Sequence, residues 1–261
     1  MIQVLNMELK ELRIPLILIA AIMLVGSAYY IFSVAPNAPV MADASLYDGA
    51  RFKTGFLPDG AFKVFVSASN NKLMMLDAAE GELLPESRTM VLGSAEAAMM
   101  REEKLFTNIN DTLEGFFGID IAIGGVLKAR GDLADDAHFL TERQFAAVQG
   151  EEGRISVKTE PDGSPKFFYR YATTDALPEI TLAEGDITDY KTTELEGKTY
   201  YPVILGAKEA TMMRENRLFN KPGDTIDGLF GNDAIIVGVL EETGSALDMM
   251  HLVTAESGYV G

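Results

Sequence analysis

The chain carries one stretch twice, and this duplication limits its fold more than any other feature. Residues 91–139 align with 204–252 at a shift of 113 positions without a gap, with 23 identities in 49 positions. The copies contain the octapeptides MMREEKLF (99–106) and MMRENRLF (212–219). A weaker match upstream pairs AAEG at 78–81 with LAEG at 182–185, with a longer connector in the second copy. A segment that buries its apolar positions in one arrangement does so again when repeated, so two related modules are expected. They are placed at 52–145 and 155–261. The polar, glycine-rich QGEEGR at 149–154 separates them.

Each copy reads in the same order. TMVLG and PVILG are short apolar runs stopped by Gly93 and Gly206, which predicts strands. Helices are predicted over 94–106 and 207–219. Ser94 is suited to cap the first, and Glu96 and Glu209 suit the positive ends of their helices. Ala95, Ala98, Met99, Leu105 and Phe106 form the predicted inward stripe, with Met100 and Arg101 to the side. DTLEGFF-GID-IAIGGVL and DTIDGLF-GND-AIIVGVL then read as hairpins. The second turn is placed on Gly231, Asn232 and Asp233. A further short strand follows at 138–140 and at 251–253. The expected fold is therefore α+β, with two β-α-β-β modules built on mixed sheets.

The N-terminal region is different. Residues 14–35 contain no charged side chain, and at about 1.5 Å per residue they span about 33 Å, the thickness of a bilayer's hydrocarbon core. Tyr29 and Tyr30 lie near the far end, where phenol rings favour the interface, while Lys10 and Arg13 precede the run. These features predict a cytoplasmic tail (1–13), a transmembrane helix (14–35), a linker (36–51) and two modules on the extracytoplasmic side of the cell membrane. The bilayer is then one partner. A cleaved signal peptide is the alternative, since small residues follow the run, although its apolar length exceeds the usual ~7–15 residues of such signals.

Charge and composition narrow the chemistry. The net charge of −17 disfavours nucleic acid as a partner, because phosphates would be repelled. With no cysteine there is no disulfide framework and no thiolate ligand or nucleophile. No nucleophile elbow, phosphate-binding loop, H-E-x-x-H or dinucleotide fingerprint occurs, so no catalytic residue is assigned. The two histidines, His138 and His251, occupy equivalent positions, each three residues after an aspartate (Asp135 and Asp248). Met249 and Met250 precede His251. Imidazole with thioether suits Cu(I), and two imidazoles suit a haem iron. A copper or haem site on these six residues is the alternative to a protein without a cofactor.

The stretch AEGD…PVILGAKEA…LF…PGDTI…IIVGVL…GSALD…LV in the second module, echoed by MVLGSAEA, KLF, NDTL and GGVL in the first, resembles the periplasmic core domain of MacB/FtsX-type ABC transporter permeases. ELR ahead of the apolar run is similar to the start of the first helix of such permeases. The resemblance covers about half of the chain, the second half of each module, on structural glycines and apolar positions. It implies association with an ABC transporter, and modules that contact other membrane or envelope proteins or shape a periplasmic path, with no chemistry of their own.

Overall fold

Alternation along the central strands sets the architecture. In β2 (Phe62–Ser67) Phe62, Val64 and Val66 face one side of the sheet while Lys63 and Phe65 face the other. In β10 (Pro165–Tyr171) Phe167 and Tyr169 face one way and Lys166 and Phe168 the other. Every residue of β2 is buried, so both faces of its sheet are covered. The computed structural model describes residues 44–58, 60–67, 70–85, 88–171, 180–186, 191–254, 257 and 259.

The first sheet begins with the hairpin of β1 (Arg51–Phe56) and β2. It continues through β3 (Ala78–Gly81), β4 (Thr89–Leu92), β5 (Thr112–Phe116), β6 (Ile119–Leu127), β7 (Ala137–Leu140) and β8 (Glu151–Glu152). Helix α1 (Ser94–Glu102) follows β4, and the short α2 (Glu142–Ala147) follows β7. The strand order is β3-β6-β4-β7-β2-β1-β8, with β5 paired to β6. The second sheet contains β9 (Ile155–Thr159), β10, β11 (Leu182–Gly185), β12 (Thr193–Leu195), β13 (Lys198–Leu205), helix α3 (Ala207–Glu215), β14 (Thr225–Leu229), β15 (Asn232–Leu240) and β16 (Met250–Thr254). Its order, β11-β15-β13-β16-β10-β9, repeats the first. Registers repeat too: Leu92 is opposite His138 as Leu205 is opposite His251, and Phe65 is opposite His138 as Phe168 is opposite His251.

The inner faces of the two sheets share one core, which joins Phe62, Val64, Val91 and Phe139 with Phe167, Tyr169, Ile204 and Leu252. The outer faces carry separate cores under the helices. Ala97 and Met100 of α1 pack on Phe65, Met90 and Leu92, while Ala210 and Met213 of α3 pack on Phe168, Val203 and Leu205. The layers are helix, sheet, sheet, helix. Residues 44–47, within the expected linker, form a 3-10 turn that places Leu46 and Tyr47 in the shared core.

Several expectations are corrected. The body is mostly β, not α+β, because the hairpins β1–β2 and β9–β10 and the edge strands β3 and β11 are sheet, and because α1 and α3 stop after nine residues. They end in a left-handed turn at Lys104 (φ 60°) and Arg217 (φ 58°). The Leu105 and Leu218 amides then bond back to the carbonyls of Met100 and Met213. Among the described residues no helix is long and apolar enough to cross a membrane, so none answers to the expected transmembrane helix. Residues 14–35 lie outside the described residues. The N-caps are Gly93 and Gly206, and neither helix has a side-chain cap. A Cβ at Gly93 would lie 2.0 Å from the Ala134 carbonyl oxygen, and one at Gly206 would lie 2.1 Å from that of Leu247. The inward stripe is Glu96, Ala97 and Met100, one step round from the expected one, with Ala95 and Ala98 exposed. The hairpin turns lie on Phe117-Gly118 and Phe230-Gly231, each with two positive φ angles, as a type I′ turn requires.

Candidate functional site

The stripe shifted because Glu96 and Glu209 point inward, and each meets a lysine and a histidine. Lys63 on β2 donates to Glu96 Oε1 at 2.8 Å, and His138 Nε2 on β7 lies 3.2 Å from the same oxygen. In the second module Lys166 donates to Glu209 at 2.8 Å and His251 Nε2 lies 3.5 Å from Oε1. The three elements that converge on each cluster are the helix start, the second strand and the strand carrying the histidine. The same three elements therefore meet in both modules.

Burial and pairing act against each other in these clusters. Burial pushes the Glu96 carboxyl up, but its interactions with His138 and Lys63 outweigh this and hold the group below the usual carboxylate range. Burial pushes His251 down, and Glu209 restores part of the shift. His138 Nδ1 faces the Val64 carbonyl at 3.2 Å, while its Nε2 lies off a hydrogen-bonding line to Glu96. Phe65 and Phe116 flank His138, with ring centroids 5.0 Å and 5.3 Å away. Phe168 stacks on His251 at 4.7 Å. Phe117 and Phe230, the left-handed turn residues, close over Phe65 and Phe168. Both histidines are fully buried: His138 is 0% exposed and His251 1%.

The residues proposed for metal or haem do not gather. Asp135 accepts from Ser94 Oγ and from the amides of Arg130 and Gly131, and Asp248 accepts from Thr243 and Gly244. Both aspartates therefore hold loops. Met250 sits in the shared inner core, on the opposite face of β16 from His251. Met249 is half-buried and outside the clusters. Among the described residues no group of three or more His, Asp or Glu side chains is placed to hold a metal ion. At Glu96 and Glu209 a lysine ammonium already occupies the place a cation would take. As placed, these donors do not fit copper or haem.

The surface above the clusters is also built twice. Arg101 forms a two-pronged pair with Glu80, and its guanidinium lies 4.8 Å above the Phe106 ring; Arg214 repeats this with Glu184 and Phe219. The MMRE motif is thereby explained. Its second methionine fills the outer core and its arginine ties the helix to the edge strand. Asp111 accepts from the Thr107 and Asn108 amides, and Asp224 from Asn220 and Lys221, which holds both carboxyls below the usual range. Between the helix end and this braced loop, Lys104-Leu105 and Arg217-Leu218 project outward. Leu105 is 42% exposed and Leu218 49%. Beside Leu218 lies an open depression of about 590 Å³, lined among others by Arg217, Phe219, Asn220 and Thr225.

Sequence reasoning missed Lys63 and Lys166. The signal was present: PDGAFK (58–63) and PDGSPK (161–166) repeat at a shift of 103, not 113, because the second module inserts residues further along. No family model, no curated protein and no solved structure matches the chain. The transporter association implied by the permease likeness therefore has no support beyond the quoted motifs, and the described residues offer no spanning helix to go with it.

Proposed function

We propose that this chain is a non-enzymatic binding and assembly protein of the cell envelope. It presents two copies of a rigid corner to other proteins on the extracytoplasmic side, with residues 14–35 supplying its contact with the bilayer. One observation carries the reading: both copies keep a long cation in a left-handed backbone conformation, followed by an exposed leucine. A non-glycine residue there costs free energy, and retained strain of this kind is characteristic of functional positions. The likeness to the MacB/FtsX-type periplasmic core supports a contact role, and the burial of both histidines argues against chemistry at them.

The test is photo-crosslinking in intact cells from a reactive group placed at position 105 or 218, with exposed Lys191 and Glu241 as control positions. Adducts are expected from 105 and 218 and not from the controls. Equal yields from all four positions, or none from any, sink the reading.

A further inference from the structure

Strand direction gathers several features at one end of the body. The 3-10 turns ahead of β7 (Leu133–Asp136) and β16 (Ala246–Met249) touch each other. Ala78, where β3 starts, and Gly163, in the β9–β10 turn, lie at this same end of their sheets. The described residues also begin here. The Ala44 amide donates to the Gly163 carbonyl at 3.3 Å, and the Lys72 ammonium donates to the carbonyls of Ser45 and Asp48. Lys72 belongs to a helical turn (Asn70–Leu73) that leads into Met74 and Met75. Leu73 is buried, Leu76 packs on the shared core, and the Met75 and Leu76 amides bond back to the carbonyls of Lys72 and Leu73. The two methionines are thus held outward between two anchored leucines. Met74 is 64% exposed and Met75 81%, the highest values for large apolar side chains among the described residues.

The repeat itself does not call for apolar residues there. At the shift of 104 that aligns AAEG with LAEG, LMML (73–76) falls on LPEI (177–180). The outer positions stay apolar, while Pro178 and Glu179 stand where the first copy has its methionines. The first copy is also the one that adjoins the apolar N-terminal run. Residues 36–43 are all the chain between position 35 and Ala44, and eight residues reach no further than about 30 Å. We infer that Met74 and Met75 dip into the surface of the bilayer, seating this end of the body against neutral lipid. This rests on the reading of residues 14–35 as the contact with the bilayer, and adds a second contact made by the folded body. Unbranched thioether side chains adapt to irregular apolar surroundings, and acyl chains provide them. Charge takes no attractive part. Lys72 faces Asp48 and Lys128 faces Asp77, so these cancel, whereas Asp162, Glu241 and Glu242, exposed at the same end, add negative charge. Anionic headgroups would be repelled, which leaves a zwitterionic surface as the occupant.

Fluorescence tests it, because the chain has no tryptophan and one introduced residue reports alone. Full-length Met75→Trp, Leu195→Trp and Val25→Trp are reconstituted into phosphatidylcholine vesicles with plain or brominated acyl chains. Leu195 is the control for an exposed apolar site, at 40% exposure and at the opposite end of β13 from Leu205. Emission from Met75→Trp is expected to shift to the blue and to be quenched by the bromines, and emission from Leu195→Trp to do neither. Met74→Trp should be quenched as well, and adding Met75→Glu to it should reduce that quenching. Three results would each overturn the inference while leaving the contact of residues 14–35 in place: quenching at position 25 without quenching at 75, equal quenching at 195 and 75, or no effect of Met75→Glu. Absence of quenching at position 25 would overturn that contact, and the inference with it.

Discussion

The two buried clusters use the same three residue types in the same register, yet they are closed differently. In the first module Lys63 is 1% exposed at its side chain, approaches Met99 Sδ at 3.6 Å, and lies in an outer layer completed by Phe145 and Val148 around α2. In the second, the Lys166 side chain is 14% exposed, and the cover comes from the C-terminal segment, where Tyr259 stacks on Phe168 at 5.0 Å. The shared part pins helix to sheet, and the differing part decides how fully water is excluded. A buried ion cluster is weak evidence of net stability, but breaking one by removing a single partner is costly, because the remaining charge is left without compensation.

The comparison is broken most severely by removing the glutamates. Glu96→Ala leaves the Lys63 ammonium buried without a counter-charge, and is expected to cost about 3–5 kcal/mol. Glu209→Ala should cost clearly less, because Lys166 can turn its ammonium toward water. Replacing the whole first cluster by apolar residues, Lys63→Met with Glu96→Leu and His138→Leu, should cost less than Glu96→Ala alone. Denaturant unfolding of the four chains checks the order. Equal losses for the two glutamate variants would mean that the different covers have no energetic consequence.

A second comparison is between Asp136 and its counterpart Met249. Asp136 is 5% exposed, and burial raises its carboxyl to about 7; Lys208 pulls it down, while Asp135, Glu96 and Asp248 push it up. A carboxyl whose folded pKa lies above its unfolded value near 3.8 keeps its proton longer in the folded state. Its contribution to stability is then complete below the unfolded value and is lost as pH rises toward 7. His251, with its pKa lowered in the fold, works the other way: stability is lost as pH falls below its unfolded value. Asp136→Asn should therefore flatten the decline between mildly acidic and neutral pH and gain on the order of 2 kcal/mol at pH 8. Melting temperatures of both chains from pH 5 to pH 8 decide it, and parallel curves would show that Asp136 does not titrate in this range.

These comparisons show what the sequence made legible. The duplication announced two units with the same strand and helix order, because matched apolar runs and matched glycines fix matched backbones. It did not announce that the units would pack sheet to sheet, since the alternation along β2 and β10 is hidden when both faces are buried and Lys63 and Lys166 are turned inward. Glu96 misled in the same way. A charged residue at a helix start reads as surface, which turns the expected stripe one step round and leaves Met100 off it, whereas Glu96 and Met100 are both buried. Phe117 misled for a local reason, as a bulky residue is an unusual choice for a left-handed turn and is accommodated here by packing on Phe65. The histidines were correctly seen as equivalent, but their partners lie far away in sequence and at a different shift from the main repeat.

The smallest expected effect sharpens the comparison of the corners. Lys104 and Arg217 sit where a helix end commonly carries glycine, and each holds φ near +60°. Glycine adopts that conformation without steric cost, so Lys104→Gly and Arg217→Gly should each stabilise the fold, or leave it unchanged, by up to about 1 kcal/mol. The relief of native-state strain is opposed by the greater freedom of glycine in the unfolded chain and by loss of a cation at the negative end of the helix, so the net effect stays small. Equal small effects in the two modules would show that the strained turn is mechanically the same in both, and that what separates the corners is charge. A loss of more than about 1 kcal/mol in either would mean that its side chain is holding the fold together, and the reading of that corner as a surface kept for binding would fall with it.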